Sequence, residues 1–589
     1  MRLKVAGILS GFLLLGAAVL VPTFLAAQGG FSGGGGAGLT SPVGVADGGT
    51  GATSFSDGSV LLGAGTSAVS PMATMADGEF IVGNGTTAPV LESGATARTS
   101  MGAAHLDVFL SESVPGTAAT ATGTDAVGIG DGAVAGNAAN DNAVLAIGAN
   151  STATGVDSIA IGQNADATGS NGSIAIGGST TDDDSANATA LGAIAIGQFS
   201  DATGTGAVGL GRTSQATADQ TVALGQASTA SAADAIALGS NADATGTNSI
   251  AIGGDSTDAT SADATAANAV AIGVNTLADA TEAVALGDSA DAGGVGAIAI
   301  GDTANASTGD SIAIGTDSVA STNINAIAIG QFTDATGNAS IAIGGSGTDS
   351  SSADAVSLRA VAIGNNALAD ATDAAAFGTN ADAGGTSSVA LGDTTSASAD
   401  RSIAIGDNAA ATGANCIAIG GNTTTSDSAD CSAADSIAIG QHVIADDIGE
   451  FAFASGEFAA QSDAHTSIFV LRNNTTDATQ TELFADASAG DISVPSDCTL
   501  IFSIDIVARQ TDADDVSAGY SVSGVMDNNA GTTALVGSII KTTISEDVAS
   551  WDATITADDS NDGINVLVTG AVGDAVRWVA RAEIVEVCG

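Results

Sequence analysis

Three histidines, His105, His442 and His465, are the side chains of this 589-residue chain best suited to proton transfer near neutral pH, and they fall in three different regions. No Ser/His/Asp arrangement, G-x-S-x-G elbow, H-E-x-x-H pair or phosphate-binding loop accompanies them. The sequence therefore points away from an enzyme. Only geometry identifies a glycosidase-type carboxylate pair among so many acids. Asp and Glu number 65 against 11 Lys and Arg, a net charge of -54. A nucleic acid would be repelled by such a chain. Hard cations take oxygen ligands from Asp-rich loops, so calcium is the metal to consider, and Asp182, Asp183 and Asp184 are the candidate ligands. Gly344, Gly345, Gly347 and Asp349 begin like a G-G-x-G-x-D calcium repeat, but Ser351 stands where an apolar residue is required and the motif does not recur. No other cofactor is indicated.

Ligand contacts need aromatic or polar anchors. Phe199 and Phe332 follow a glycine and a glutamine at equivalent places, as His442 does, and are candidate contact points, with local packing as the competing role. Tyr520, Trp551 and Trp578 have rings that stack on sugars, yet they lie in alternating apolar runs where core roles compete. Outward aspartates recur at 166, 201, 243, 291, 334 and 382, never in successive repeats, which favours solvated carboxylates over a metal ladder. Among four cysteines, Cys498 and Cys588 either close a C-terminal domain by a disulfide or are small buried thiols. Cys416 and Cys431 lie about one repeat apart and are either a pair or small buried thiols.

These residues are carried by five regions. Residues 1–27 have a basic start, an apolar run from Val5 to Leu25 and a small-residue Leu25-Ala26-Ala27 site, which reads as a secretory signal peptide or, uncleaved, as a membrane anchor. Membrane contact is expected only through this segment. Either way the rest is exported, to the extracellular space or the cell surface. Residues 28–42 are a Gly-rich linker. Residues 43–124 form a module and connector with an inner repeat, in which Asp57-Gly58-Ser59-Val60-Leu61-Leu62-Gly63 returns as Asp77-Gly78-Glu79-Phe80-Ile81-Val82-Gly83.

From 125 to 456 one pattern dominates, a glycine closing an aliphatic pair, most often every 14 residues. Steps of 20 occur after Gly177, Gly253, Gly344 and Gly420, and these four Asp/Ser/Thr-rich loops recur at intervals of 76, 91 and 76 residues. In Ile250-Ala251-Ile252-Gly253 the isoleucines share one strand face and Ala251 takes the other; in the preceding half-turn Ala242 and Ala244 point inward and Asp243 outward. Two short strands per repeat, stacked in parallel at about 4.7 Å per rung, make a β-solenoid roughly 100 Å long. Two large and two small inward side chains per coil enclose little core. Neighbouring chains are therefore expected to bury the isoleucine face.

The SIAIG-type core and the A-x-A-T-G half-turn across 125–456 resemble the YadA-like head, or haemagglutinin-type, repeats of trimeric autotransporter adhesins. The resemblance implies a left-handed parallel β-roll, a homotrimer, and a non-enzymatic cell-surface role in binding matrix or other cells. That family's heptad stalk and C-terminal barrel segment are not found. The segments Gly48 to Phe55 and Ala97 to Gly102 resemble stalk modules of phage tail fibres. Residues 457–589 abandon the 14-residue period; alternating runs such as Leu500 to Val507 and Val576 to Arg581 predict an antiparallel β-sandwich. The stretch from Trp551 to Val587 resembles a tail-fibre tip domain. The fold class expected is thus all-β, a homotrimeric left-handed β-roll solenoid with a C-terminal β-sandwich tip. The expected function is attachment to a cell, matrix or glycan receptor. A phage or prophage tail fibre is the alternative. An ice-binding solenoid, suggested by Thr168, Thr203, Thr245 and Thr336, is disfavoured because most repeats lack the threonine.

Overall fold

The computed structural model describes residues 118–589, apart from 123–124, 137–142, 182–183, 425–426, 487–490 and 514, together with four short strands between 61 and 93. The signal-like segment, the linker, His105 and two of the three candidate calcium ligands, Asp182 and Asp183, lie outside the described residues. The chain divides into two units, residues 1–105 and 106–589. In the first, Leu61–Leu62 pairs antiparallel with Ser70–Pro71, and Glu79–Val82 with Val90–Ser93, one hairpin for each copy of the inner repeat.

In the second unit a parallel β-solenoid is built from two facing sheets. One stacks 22 strands, from Val127–Ile129 to Phe451–Ser455, each in register with the next, as Ile236-Ala237-Leu238 lies on Ile250-Ala251-Ile252. The other is made of two-residue strands such as Asp243–Ala244. Between the sheets lies a core that, from Ala126 to Ala452, is alanine except at Val144, Cys416, Cys431 and Val443. The isoleucines do not point inward, as the inventory of inward side chains expected. Ala251 is fully buried while Ile250 and Ile252 remain half-buried on the outer face. A 14-residue coil is so thin that little more than a methyl group fits between its sheets.

Many coils also bury a serine or threonine immediately before a strand. Its hydroxyl closes the turn it sits on: Ser158 donates to the Gly155 carbonyl at 2.6 Å and Ser340 to that of Gly337 at 2.8 Å. Two turns per coil need left-handed backbone, held by Asn241 (φ 57°) and Asn248 (φ 58°), residue types that tolerate it. The closing glycines take φ from 120° to 152° and lie so close that a Cβ on Gly225 would stand 2.1 Å from the Gly239 carbonyl oxygen. Only glycine serves there.

All four long loops leave the coil at the same corner. In each, a buried serine donates back to a carbonyl one rung earlier: Ser185 to Asn164, Ser261 to Asn241, Ser352 to Phe332 and Ser428 to Asn408.

The solenoid passes directly into the C-terminal region, because Phe451–Ser455 pairs antiparallel with Ala464–Thr475. From there one antiparallel sheet continues through Val576–Cys588, Cys498–Gln510 and Ser517–Asn528. A smaller antiparallel sheet holds Gln480–Glu482, Ile492–Ser493, Asp552–Asp558 and Gly563–Thr569. Buried residues of both sheets form one cluster, including Phe502, Trp551, Val566 and Trp578. Cys498 and Cys588 are disulfide-bonded between register partners; Cys416 and Cys431 are free and buried.

Candidate assembly face and terminal domain

Turning alanine inward puts the large aliphatic side chains of the long strands outward. The result is a double column of Ile, Val and Leu along the long-strand sheet, with Ile236, Leu238, Leu286 and Leu391 retaining 37%, 38%, 42% and 45% of their surface. The columns do not stop at the last coil. Phe451 pairs with Ile468 and Phe453 with Thr466 on the same face, and Thr466 pairs with Val585. Exposed Phe453, Val470, Ile501, Val507, Val579 and Val585 extend the apolar surface over the outer side of the larger C-terminal sheet, interspersed with Asp505, Arg581 and Glu583. An apolar strip of this length is unusual on a chain that functions alone.

The opposite sheet carries the aspartates. Long loops shift the count, so residues that are not successive in the sequence series become neighbours in space: Asp263 lies beside Asp243 and Asp354 beside Asp334. The expected separation of these carboxylates does not hold, and the physical cause is that a 20-residue step still advances the coil by one rung. Burial, followed by the charge of Asp334, raises Asp354 to about 6. Burial likewise raises Asp291, with Asp279 as the second cause, and Asp382, with Asp370.

The residues selected from sequence are scattered. Asp184 sits at the foot of the first loop, its carbonyl accepting the Phe199 amide at 3.0 Å. Phe199 (φ 60°) and Phe332 (φ 58°) occupy the left-handed turn position that asparagine holds in several other rungs, and both are half-buried. Tyr520, Trp551 and Trp578 retain only 1%, 2% and 1% of their surface, so no ring face is open to a sugar. Their polar tips are satisfied internally. Tyr520 donates to Glu546 at 3.1 Å, Trp551 to Asp574 at 3.2 Å and Trp578 to Thr475 at 2.9 Å.

A group of acids not singled out from the sequence lies at the junction of solenoid and C-terminal region. Glu450 takes the place of the last buried turn serine, and its carboxylate accepts the amides of Asp446 and Asp447 at 3.0 and 3.2 Å. Around a cavity of about 20 Å³ it meets Asp447, His465 and Glu586. Burial is the first cause that lifts Asp447 to about 7 and Glu450 and Glu586 to about 8. Burial also lowers His465. Its Nδ1 lies 3.0 Å from the Ser462 carbonyl and 3.1 Å from the Ser462 hydroxyl. A proton on Nδ1 then serves the carbonyl, which leaves that nitrogen unable to activate Ser462 as a nucleophile.

A second, shallower group gathers three side chains from separate segments. His442 Nδ1 lies 2.9 Å from Glu457 and 3.8 Å from Asp427.

Comparison with known proteins places this architecture. The model of the YadA head domain repeat matches nine segments: 145–165, 153–180, 202–228, 230–256, 264–290, 292–318, 321–346, 355–381 and 383–409. Residues 145–409 thus carry YadA head repeats. The matches break at 181–201, 257–263 and 347–354, which are the places of the first three long loops. No curated protein matches the chain. Among solved structures, the tailspike gp49 of Acinetobacter baumannii bacteriophage Fri1, a capsular polysaccharide depolymerase, aligns at 8% identity over 87% of this chain and 90% of its own, with a TM-score of 0.17. The tailspike of Acinetobacter baumannii phage AM24 aligns at 8% identity over 88% and 87%, with a TM-score of 0.14. Superpositions this loose carry no argument about activity. Among the described residues no helix is long and apolar enough to cross a membrane.

Proposed function

We propose that this chain is a non-enzymatic, homotrimeric adhesive fibre at the cell surface or outside the cell, in which the solenoid is a stiff shaft and the C-terminal region a β-sandwich tip. The observation that carries this reading is the apolar face that runs from the YadA head repeats onto the outer side of the terminal sheet. Burying the exposed part of one such leucine, roughly 50 Å², contributes about 1 kcal/mol at ~25 cal/mol per Å². Repeated over the rungs, that exceeds the entropy lost on association. The number three is adopted from the trimeric adhesins whose head repeats these resemble.

Recognition falls to the features that the repeat model leaves out, the acidic loops and the tip. Three copies of each would act together, so weak individual contacts suffice through avidity. The test is binding of the trimeric full chain to arrays of glycans and matrix proteins, beside a variant whose four loops are shortened to the 14-residue step. Retention that falls on loop shortening supports the reading, and absence of any retained ligand class for the full chain contradicts an adhesive role.

A further inference from the structure

We propose that Asp427, His442 and Glu457 form a divalent transition-metal site, of the kind zinc occupies, where the fourth long loop meets the end of the solenoid. Asp427 and His442 are half-buried, and one ligand atom from each of Asp427, His442 and Glu457 lies within 4.8 Å of the other two. Ligand atoms about 2.0 Å from a tetrahedral zinc stand roughly 3.3 Å apart. The separations of 2.9 Å from His442 to Glu457 and 3.8 Å from His442 to Asp427 bracket that spacing.

The three groups are held from the backbone. His442 donates its amide to the Asp427 carbonyl at 2.9 Å, and Ser462 donates to the His442 carbonyl at 2.8 Å, which ties the following turn to the same place. Gln461 reaches the Ser428 carbonyl at 2.9 Å. Asp463, 6% exposed, accepts the amides of Phe458 and Ala460 at 2.7 and 2.8 Å and so fixes the turn that presents Glu457. His442 itself is held at φ 60°, a turn position that Asn275 and Asn366 fill after the second and third loops and Phe199 after the first. Only the fourth loop combines this position with an imidazole and a flanking acid on each side.

The chemistry selects the ion. Nδ1 of His442 is buried and faces the Glu457 carboxylate at 2.9 Å without making an aligned hydrogen bond, and among the described residues no Lys or Arg forms an ion pair with His442 or Glu457. One nitrogen and two carboxylate oxygens form a donor set for zinc-like ions, whereas calcium and magnesium prefer oxygen alone. Water would complete the coordination.

The experiment is equilibrium dialysis of the untagged, metal-stripped full chain with Zn2+, Co2+ and Ca2+, alongside His442→Asn and Glu457→Gln. Asparagine tolerates the left-handed turn, and hydrogen exchange of the neighbouring rungs reports whether each variant keeps its fold. The expected result is one Zn2+ per chain, binding at least tenfold weaker in both variants, and a Co2+ absorption typical of tetrahedral coordination that His442→Asn abolishes. Residues 456–463 should gain exchange protection with Zn2+ and not with Ca2+. Zn2+ binding of equal strength in folded His442→Asn would overturn the site. Absence of stoichiometric Zn2+ or Co2+ uptake by the wild type would do so too, leaving an ordinary imidazolium-carboxylate pair.

Discussion

Replacing Gly225 by alanine tests whether the closing glycines set the rung spacing. Its φ is 147°, in a region closed to residues with a Cβ, and holding a non-glycine residue there costs about 1–3 kcal/mol. The new Cβ would meet the Gly239 oxygen at 2.1 Å and its carbonyl carbon at 2.5 Å, both backbone atoms that cannot swing aside. Relief requires the rungs to part, which weakens the bonds Gly225 N–H to Leu210 O (2.9 Å) and Gly239 N–H to Leu224 O (2.8 Å), at about 1 kcal/mol each. The sum is roughly 3–5 kcal/mol. Gly206→Ala is the control for strain alone, because φ there is 67° and nothing stands within 4 Å of the built Cβ; it should cost about 1–2 kcal/mol. Gly347→Ala, in open space without a left-handed φ, should be close to neutral. Hydrogen exchange along the rungs reads the effect locally, since each coil of a solenoid is stabilised by its neighbours. The reasoning is refuted if Gly225→Ala loses no more protection around 222–238 than Gly206→Ala does around its own rung.

The buried acids at the junction give a pH dependence of unusual sign. With folded-state values of about 7 for Asp447 and about 8 for Glu450 and Glu586, the fold holds protons that the unfolded chain releases near pH 4. Stability contributed by this region should therefore fall as pH rises from about 4 through 8, by up to ~1.4 kcal/mol per pH unit for each group. Thermal melts between pH 5 and 9 should show the decline, and Glu586→Gln should flatten it; a C-terminal region that strengthens towards pH 8 would contradict the burial of these acids in ionisable form. Trp578→Ala should destabilise the terminal region by about 3–5 kcal/mol in denaturant unfolding, because the ring is buried beside Trp551 and its Nε1 donates to Thr475. An unfolding midpoint that does not move would return Trp578 to the surface.

Much of this architecture is legible in the sequence because the solenoid repeats one local rule. Gly253, Ala242, Ala244 and the 76, 91 and 76 spacing of the loops each state a backbone requirement directly. The inward residue of the long strand is harder to assign, since Ile250 and Ala251 alternate and hydrophobicity alone favours burying isoleucine. Coil thickness reverses that choice, and thickness is a property of the closed turn. The pairing of Asp243 with Asp263 was hidden for a related reason: sequence distance changes at a long loop while the rung register does not.

The junction cluster was missed although a signal existed. In Val576–Cys588 the buried positions alternate from Val576, so Glu586 falls on the inward phase with Trp578, Ala580, Ala582 and Ile584. The same phase rule places Trp578 in the core and not on a sugar. His442, Asp427 and Glu457 carry no such pattern. Their meeting depends on how the turn after Ser455 folds back on the last long loop.

Self-association through the aliphatic face is the claim on which the rest depends, and light scattering coupled to size exclusion measures it most directly. The full chain should elute with three times the 55.7 kDa chain mass down to low micromolar concentration, and a variant carrying Asp at Ile236, Leu238, Ile250 and Ile252 should lose that mass while keeping its β-sheet circular dichroism. A wild-type chain of single mass at those concentrations would contradict the account.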